Sequence, residues 1–300
     1  MMETTVPTVS VIVPCHNGGR FLPGLVANLA EQRFRDFEVV IVNNGSTETE
    51  TLQTLDRLRS NIRVIDQENR YLPGARNTGF REARASLVLP LDCDDRLDPS
   101  FLDRTVSALQ GAGPDVGFVF THMALSGALR GVIKSRFDPF DQLFLNRLPY
   151  CMLVRKSAWQ KAGGYDQTMR DGTEDWEFNI RLAKAGYHGL RIAEPLFIYC
   201  VRSDGMLLSK SARMQGTIWR NIRSRHPDLY RGTALIASWS MRNNGWTSAA
   251  KALALLGATK IMPEVWYNAV CFRLIMLARR WRVARGRLRV AEADDSRVGS

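Results

Sequence analysis

Cysteine is scarce: five in 300 residues, odd in number and widely spaced at Cys15, Cys93, Cys151, Cys200 and Cys271, with no C-x-x-C pair. That excludes a disulfide framework and a zinc-finger spacing, and a reducing cytosol is the expected compartment. Long apolar runs are missing too. Val265–Ala278 is the most apolar late stretch; it carries Arg273 and is shorter than the roughly 20 residues that span a bilayer. At the start, Met1–Pro7 lacks a basic region and the apolar run Val9–Pro14 is too short for a signal peptide. Neither the 12 prolines nor the 23 glycines cluster, and apolar residues make up 45%. A disordered, collagenous or low-complexity chain is therefore excluded, and a core of this size needs no staple.

Acidic residues run short in one region only. Residues 201–290 hold 17 Lys+Arg against 3 Asp+Glu, a net of +14, whereas residues 1–200 sum to −1 and the last ten to −2. The overall charge of +11 belongs to the C-terminal third, so a nearly neutral body with a basic attachment is expected, breaking near residue 200.

The first half alternates β-branched runs with helical patterns, the form of a parallel sheet with crossover helices. Strands are expected at Val9–Pro14, Glu38–Asn43, Ile62–Gln67 and Leu87–Leu91. Between them, Phe21, Leu25 and Leu29 recur at helical spacing, and Pro73–Ala85 and Pro99–Gln110 open with a proline suited to a first helical turn. From about 115, short strands follow at Gly117–Thr121, Val132–Arg136 and Cys151–Arg155, then a helix over 174–185 with Thr173 as N-cap, and strands His188–Ile192 and Phe197–Val201. After about 207 the pattern is all helical.

Five polar segments sit where chemistry would be done. Val9–Asn17 ends an apolar strand in Pro14, His16 and Asn17, and Val39–Thr47 ends another in Asn43, Asn44 and Ser46. In open α/β sheets, ligands gather at such strand ends. Side-chain amides there could read a base or ribose, although N-G is also a favoured turn. Glu68–Phe80 enters a helix through Pro73 and Gly74 and carries Arg70 and Arg76, which suits anionic oxygens. Leu87–Asp95 ends a strand in Asp92, Asp94 and Asp95; a divalent cation, with phosphate oxygens completing its shell, is the economical remedy for like charges so close, the alternative being a solvated acidic turn or a cap for the Pro99 helix. Pro90 fits poorly in a central strand and suggests a bulge. Gly172–Phe178 sets Glu174, Asp175 and Glu177 around a helix start, where a carboxylate could act as a general base or merely suit the helix dipole.

In this order the five segments resemble the family 2 glycosyltransferases with the GT-A fold, over roughly residues 8–205. The resemblance implies an α/β, Rossmann-like mixed sheet flanked by helices, followed here by the helical basic C-terminal region. The implied division is a nucleotide-sugar-binding half (1–115), an acceptor-binding half (116–205) and the extension (206–300). It implies a nucleotide-sugar donor, a divalent cation (Mn2+ or Mg2+), and inverting transfer to a hydroxyl of a glycan or lipid-linked acceptor in surface polysaccharide or glycolipid assembly. Carried over residue by residue, Asp92 and Asp94 match the D-x-D pair, Asp92 nearer the ribose and Asp94 on the metal. Asp175 matches the base of the E-D motif, with Glu174 and Trp176 on the acceptor side. Arg76 and Asn77 match the loop that faces the nucleotide, and Pro14, His16 and Asn17 the first donor loop.

Three departures stand out. Asn43 occupies a position that is usually acidic in the family. Tyr199-Cys200-Val201-Arg202 offers Arg202 where the lid motif has a histidine; an arginine cannot ligate the metal but could grip diphosphate. The Q-x-x-R-W signature of processive synthases is absent, which favours single-sugar addition. Asn43 and Arg202 also motivate the rival reading, a non-catalytic nucleotide-sugar-binding or scaffolding protein. A nucleotidyltransferase would want a glycine-rich, lysine-containing first loop, which is missing.

Val265–Arg289 interleaves Trp266, Phe272, Ile275 and Trp281 with seven arginines. Such a helix either lies on an anionic membrane, making the protein peripheral on the inner face of the plasma membrane, or packs its apolar face on the body. No base-reading motif accompanies the arginines, so nucleic acid is not an expected partner. Co-sedimentation with anionic vesicles separates the two readings: membrane contact expects binding to be lost when 265–300 are removed, and unchanged binding rejects it.

Overall fold

The computed structural model describes residues 6–139, 141–143, 146–170, 172–202 and 215–229. Between 261 and 290 it describes only 261–263, 265, 266, 269, 270, 273, 277, 280 and 288–290. The chain divides into two compact units, Met1–His122 with Lys134–Ile198, and Met123–Ile133 with Tyr199–Ser300. An internal hairpin, Met123–Ile133, falls in the same unit as the residues from Tyr199 onward.

In the first unit, β1 (Val9–Cys15) lies between β2 (Phe37–Asn44) and β4 (Leu87–Pro90), parallel to both. Beyond β2 runs β3 (Arg63–Gln67), also parallel, and beyond β4 runs β8 (Leu153–Arg155), antiparallel. The start of β6 (Val116–Gly127) pairs antiparallel with β8 through Phe118 and Val119. The sheet is therefore mixed, flanked by helices α1 (Leu22–Ala30), α2 (Thr49–Leu58), α3 (Tyr71–Glu82) and α4 (Phe101–Gln110), with α5 (Lys156–Lys161) and α6 (Glu174–Lys184) following. Every residue of β1 is buried, as expected for a central parallel strand covered on both faces. Its one hydroxyl is satisfied: Ser10 Oγ donates to Glu38 at 2.6 Å and accepts from the Ala85 amide at 3.1 Å. The core over the sheet joins Ile12, Val40, Val42, Phe80, Val88, Phe118 and Trp159, with Phe80 stacked on Trp159 at 5.2 Å.

Several local expectations are revised. Pro90 causes no bulge: it is the last residue of β4, lies beyond the β8 pairing, and Leu91 N–H makes the next bond to Ile12 O at 2.9 Å. The two strands expected over 188–201 are one, β9 (His188–Val201), whose Phe197 and Ile198 pair with β5 (Arg96–Leu97). Thr173 is no side-chain cap; it sits at φ 66° and its hydroxyl bonds Gly172 O. Pro99 precedes α4, and α3 starts at Tyr71, two residues before Pro73.

In the second unit, β6 runs on from Met123 and pairs antiparallel with β7 (Leu129–Ile133) about Gly127, at φ 88°. Leu125, Leu129 and Val201 cluster together there. β7 also pairs with β10 (Leu288–Val290), a strand in a region expected to be all helical, while α7 (Gln215–Arg225) agrees with that expectation. Among the described residues no helix is long and apolar enough to cross a membrane. Val265 and Trp266 are exposed, whereas Phe272, Ile275 and Trp281 lie outside the described residues.

The seam between α3 and β1 is tight enough to test. A Cβ at Gly79 would come within 1.9 Å of Ile12 Cγ2. Gly79→Ala is expected to lose about 1–3 kcal/mol in urea unfolding despite the better helix propensity of alanine.

Candidate functional site

The four parallel strands end on the same side, so the loops after β1, β2, β3 and β4 share one rim. Polar side chains knit these loops together. Asn17, at φ 53°, accepts from Thr47 and Glu48 N–H through Oδ1, and its own N–H donates to Ser46 Oγ. His16 Nδ1–H donates to Asn44 O at 3.0 Å, leaving Nε2 to face Asn69 Nδ2 at 3.5 Å. Asn44 is used up inside the protein: Nδ2 donates to Asn69 Oδ1 and Tyr71 O, and Oδ1 accepts from Gln67 Nε2 and Arg70 N–H. Asn43 donates to Asp66 at 2.9 Å and accepts from Ser46 N–H, and Asp66 also pairs with Arg59. The hydrogen bond from Asn43, and then Arg59, hold the Asp66 carboxyl below its usual range against a slight desolvation. Sequence reasoning missed Asp66; an acid in register with Asn43 on the next strand was the signal.

Beneath this rim lies Arg76, on α3 and 1% exposed. Its Nη2 donates to both Asp92 oxygens, at 2.9 and 3.1 Å, and its Nη1 to Glu174 at 2.5 Å. The guanidinium sits 4.6 Å from the Tyr150 ring centre and 5.7 Å from that of Tyr165. Burial opposes the charge, but the two carboxylates outweigh it and hold Arg76 protonated. Asp92 N–H donates to Tyr150 Oη at 2.9 Å, and Tyr150 O–H donates to the buried Asp95 at 2.6 Å. Asn77 clasps the Tyr165 backbone by two bonds of 2.7 Å. Arg76 and Asn77, expected to face a nucleotide, thus hold the β4 turn, α3 and the 165 segment together.

The neighbouring acid is Asp175. Asp175 is partly exposed in the first turn of α6 and accepts from Asn146 Nδ2 at 3.1 Å. Asn146 Oδ1 in turn accepts from Gln142 Nε2 at 2.7 Å, and Gln142 O accepts from the buried Trp176 indole at 2.6 Å. Trp176, expected on the acceptor side, is buried and supports this network, and Asn146 joins it to Asp175 although no motif revealed that residue. Burial raises the Asp175 carboxyl, which Arg76 partly offsets. Burial pushes Glu174 up to about 7, against the pull of Arg76 and with the push of Asp175.

Asp94, flanking the turn, is partly exposed. Among the described residues no group of three or more His, Cys, Asp or Glu could hold a metal. One or two carboxylates with substrate phosphates and water is a normal Mg2+ or Mn2+ arrangement, so the donor set of Asp94 and Asp92 fits a cation that arrives with a diphosphate. Beside the rim, Asn69, Arg70, Tyr71, Gln167 and Arg170 line an open hollow of about 300 Å³. Gly74 is needed behind it, because a Cβ there would lie 2.4 Å from Arg70 Cβ. Pro14 is buried in β1, and Arg202 follows β9 in the second unit.

Residues 10–163 match the family described as Glycosyl transferase family 2. The chain is 28% identical over 223 residues to the O-antigen biosynthesis protein RfbC of Myxococcus xanthus, covering 64% of this chain and 17% of that one. It is 24% identical over 226 residues to the glycosyltransferase AglE of Haloferax volcanii, covering 71% and 73%. It therefore spans less than a fifth of the first relative and most of the second. Among solved structures, it resembles the mannosyltransferase PcManGT of Pyrobaculum calidifontis in complex with GDP-Man and Mn2+ (TM-score 0.57, 20% identity, 95% of this chain and 85% of that one). It also resembles TarS 1-349 of S. aureus in complex with UDP-GlcNAc (TM-score 0.56, 17% identity, 96% and 97%). These two likenesses agree with the GT-A fold.

The raised Glu174 carboxyl has a signed consequence. Between about 4.5, its value when unfolded, and about 7, the folded chain binds the extra proton, so this group's contribution to stability falls as pH rises through that window. Glu174→Gln is expected to flatten the slope of unfolding free energy between pH 5 and 7.5, measured by urea titration, relative to the parent.

Proposed function

The chain belongs to glycosyl transferase family 2, and on that premise we propose that it moves one sugar from a nucleotide-sugar donor to a hydroxyl of a glycan or lipid-linked acceptor, with inversion. The observation that carries this reading is the Asp92–Arg76–Glu174 ion triad, which ties the acidic turn after β4 to the helix bearing Asp175. A base and a leaving-group site are thereby held at a fixed separation, as a direct displacement requires.

In the proposed reaction the acceptor oxygen attacks the anomeric carbon from the face opposite the diphosphate, and the bond from that carbon to the phosphate oxygen breaks. Asp175 Oδ takes the hydroxyl proton as attack proceeds; Asn146 keeps the carboxylate aimed, and its raised proton affinity suits a base. Arg70 and the hollow beside it offer positive charge to the departing diphosphate. Asn43, Ser46 and the Asn43–Asp66 pair face the base and ribose, with His16 and Asn17 shaping the first loop. Asp94, with Asp92, would hold a divalent cation, whose chemistry is to neutralise negative charge on diphosphate oxygens. A relative named for O-antigen biosynthesis supports a role in surface polysaccharide assembly, which the basic residues near the C-terminus would assist by attachment to the inner membrane face.

A thermal-shift screen of nucleoside diphosphates and nucleotide-sugars, with and without Mn2+, tests the donor site. One nucleotide is expected to raise the melting temperature only with metal, and Asp94→Ala to abolish the rise. Asp175→Asn should keep that shift while turnover falls about 10²–10⁴-fold. No shift with any nucleotide on folded protein would favour the non-catalytic scaffold.

A further inference from the structure

Two thiols meet within the acidic turn. The β1–β4 ladder runs from Val9 opposite Leu87 to Ile12 opposite Pro90, and Cys15 and Cys93 each lie three residues past its last pair. The bond from Leu91 N–H to Ile12 O holds the two chains together just past the end of β4. The sulfurs converge over Gly18: a Cβ at that glycine would lie 2.7 Å from Cys93 Sγ and 3.6 Å from Cys15 Sγ. Both cysteines are free. Cys15 is buried, but Cys93 is partly exposed and so gives a small oxidant access to the pair.

We propose that Cys15 and Cys93 form a reversible redox modification site, closing to a disulfide when the protein meets a hydroperoxide. Sulfur attacks the peroxide O–O bond, giving a sulfenic acid and an alcohol or water; the second sulfur then displaces the sulfenic oxygen as water. Two thiols lose two electrons and two protons, one S–S bond forms, and the peroxide is reduced. Cys93 stands between Asp92 and Asp94, so closure pins both carboxylates to β1 and pulls the turn against its hold on Arg76 and Tyr150. Oxidation therefore acts on the donor side of the site proposed above.

The test treats the full chain with hydrogen peroxide, alkylates remaining thiols after unfolding, and maps the digest by mass spectrometry. A Cys15–Cys93 linked peptide is expected, reversed by dithiothreitol and absent from Cys15→Ser and Cys93→Ser proteins, with the buried Cys151 still alkylated. Both cysteines remaining alkylatable, a link to another cysteine, or Cys93 passing to sulfinic acid unlinked would each overturn the proposal. The map in wild type needs no variant to fold and no ligand to bind, so it stands apart from the donor reading. In reduced protein that shows a Mn2+-dependent nucleotide thermal shift, oxidation should shrink that shift at least twofold and dithiothreitol should restore it; an unaltered shift would reject the coupling to the site.

Discussion

A guanidinium buried at 1% exposure constrains everything around it. Removing Arg76 from water is tolerable only because two carboxylates and two aromatic faces replace the solvent, and those groups come from four different segments. Asp92 belongs to the turn after β4, Glu174 to α6, Tyr150 to the approach to β8 and Tyr165 to the loop after α5. None can shift far without stranding a charge in low dielectric. A lysine could not serve in the same way, because its single ammonium lacks the two separate nitrogens that reach Asp92 and Glu174. The position of Asp175 is inherited from this arrangement: it is the residue after Glu174.

The rim divides its polar side chains between building and contact. Asn44 and Asn77 use their amides on backbone and loop partners, and Asn17 receives two consecutive N–H groups from the loop after β2. Loops that would otherwise be loose become one shaped edge, with His16, Arg70 and Thr47 left exposed on it. Polar density at a strand end reflects the need to satisfy backbone groups as much as any ligand.

The alternation of apolar strands and helices was readable because a parallel sheet buries both faces of its central strands, so β1, β2 and β4 fall within a residue or two of expectation. The helix bearing Glu174 and Asp175 was likewise legible from its spacing. What could not be read was set by partners distant in sequence. Arg76 looks like any helix arginine until Glu174, 98 residues on, is placed beside it. Asn146 lies in a segment without periodicity, and its role exists only through Asp175 and Gln142. Two strands were expected over 188–192 and 197–201, yet β9 runs unbroken through both. Charge pointed to a boundary near residue 200, but charge tracks surface, and the hairpin that joins the second unit carries no such signal.

Pro90 closes β4 without an N–H to offer, and the chain leaves the ladder after one further bond, from Leu91 N–H to Ile12 O. The strand cannot lengthen by pairing further in register, so its end acts as a ruler for the acidic turn. A single residue inserted or deleted between Leu87 and Pro90 would exchange the faces of every side chain downstream to the turn. Leu91 would be turned outward and a carboxylate inward, away from the guanidinium that receives it. Length variation in this chain should therefore be absorbed in the loops around the sheet, while the spacing from Leu87 to Asp95 behaves as a fixed quantity.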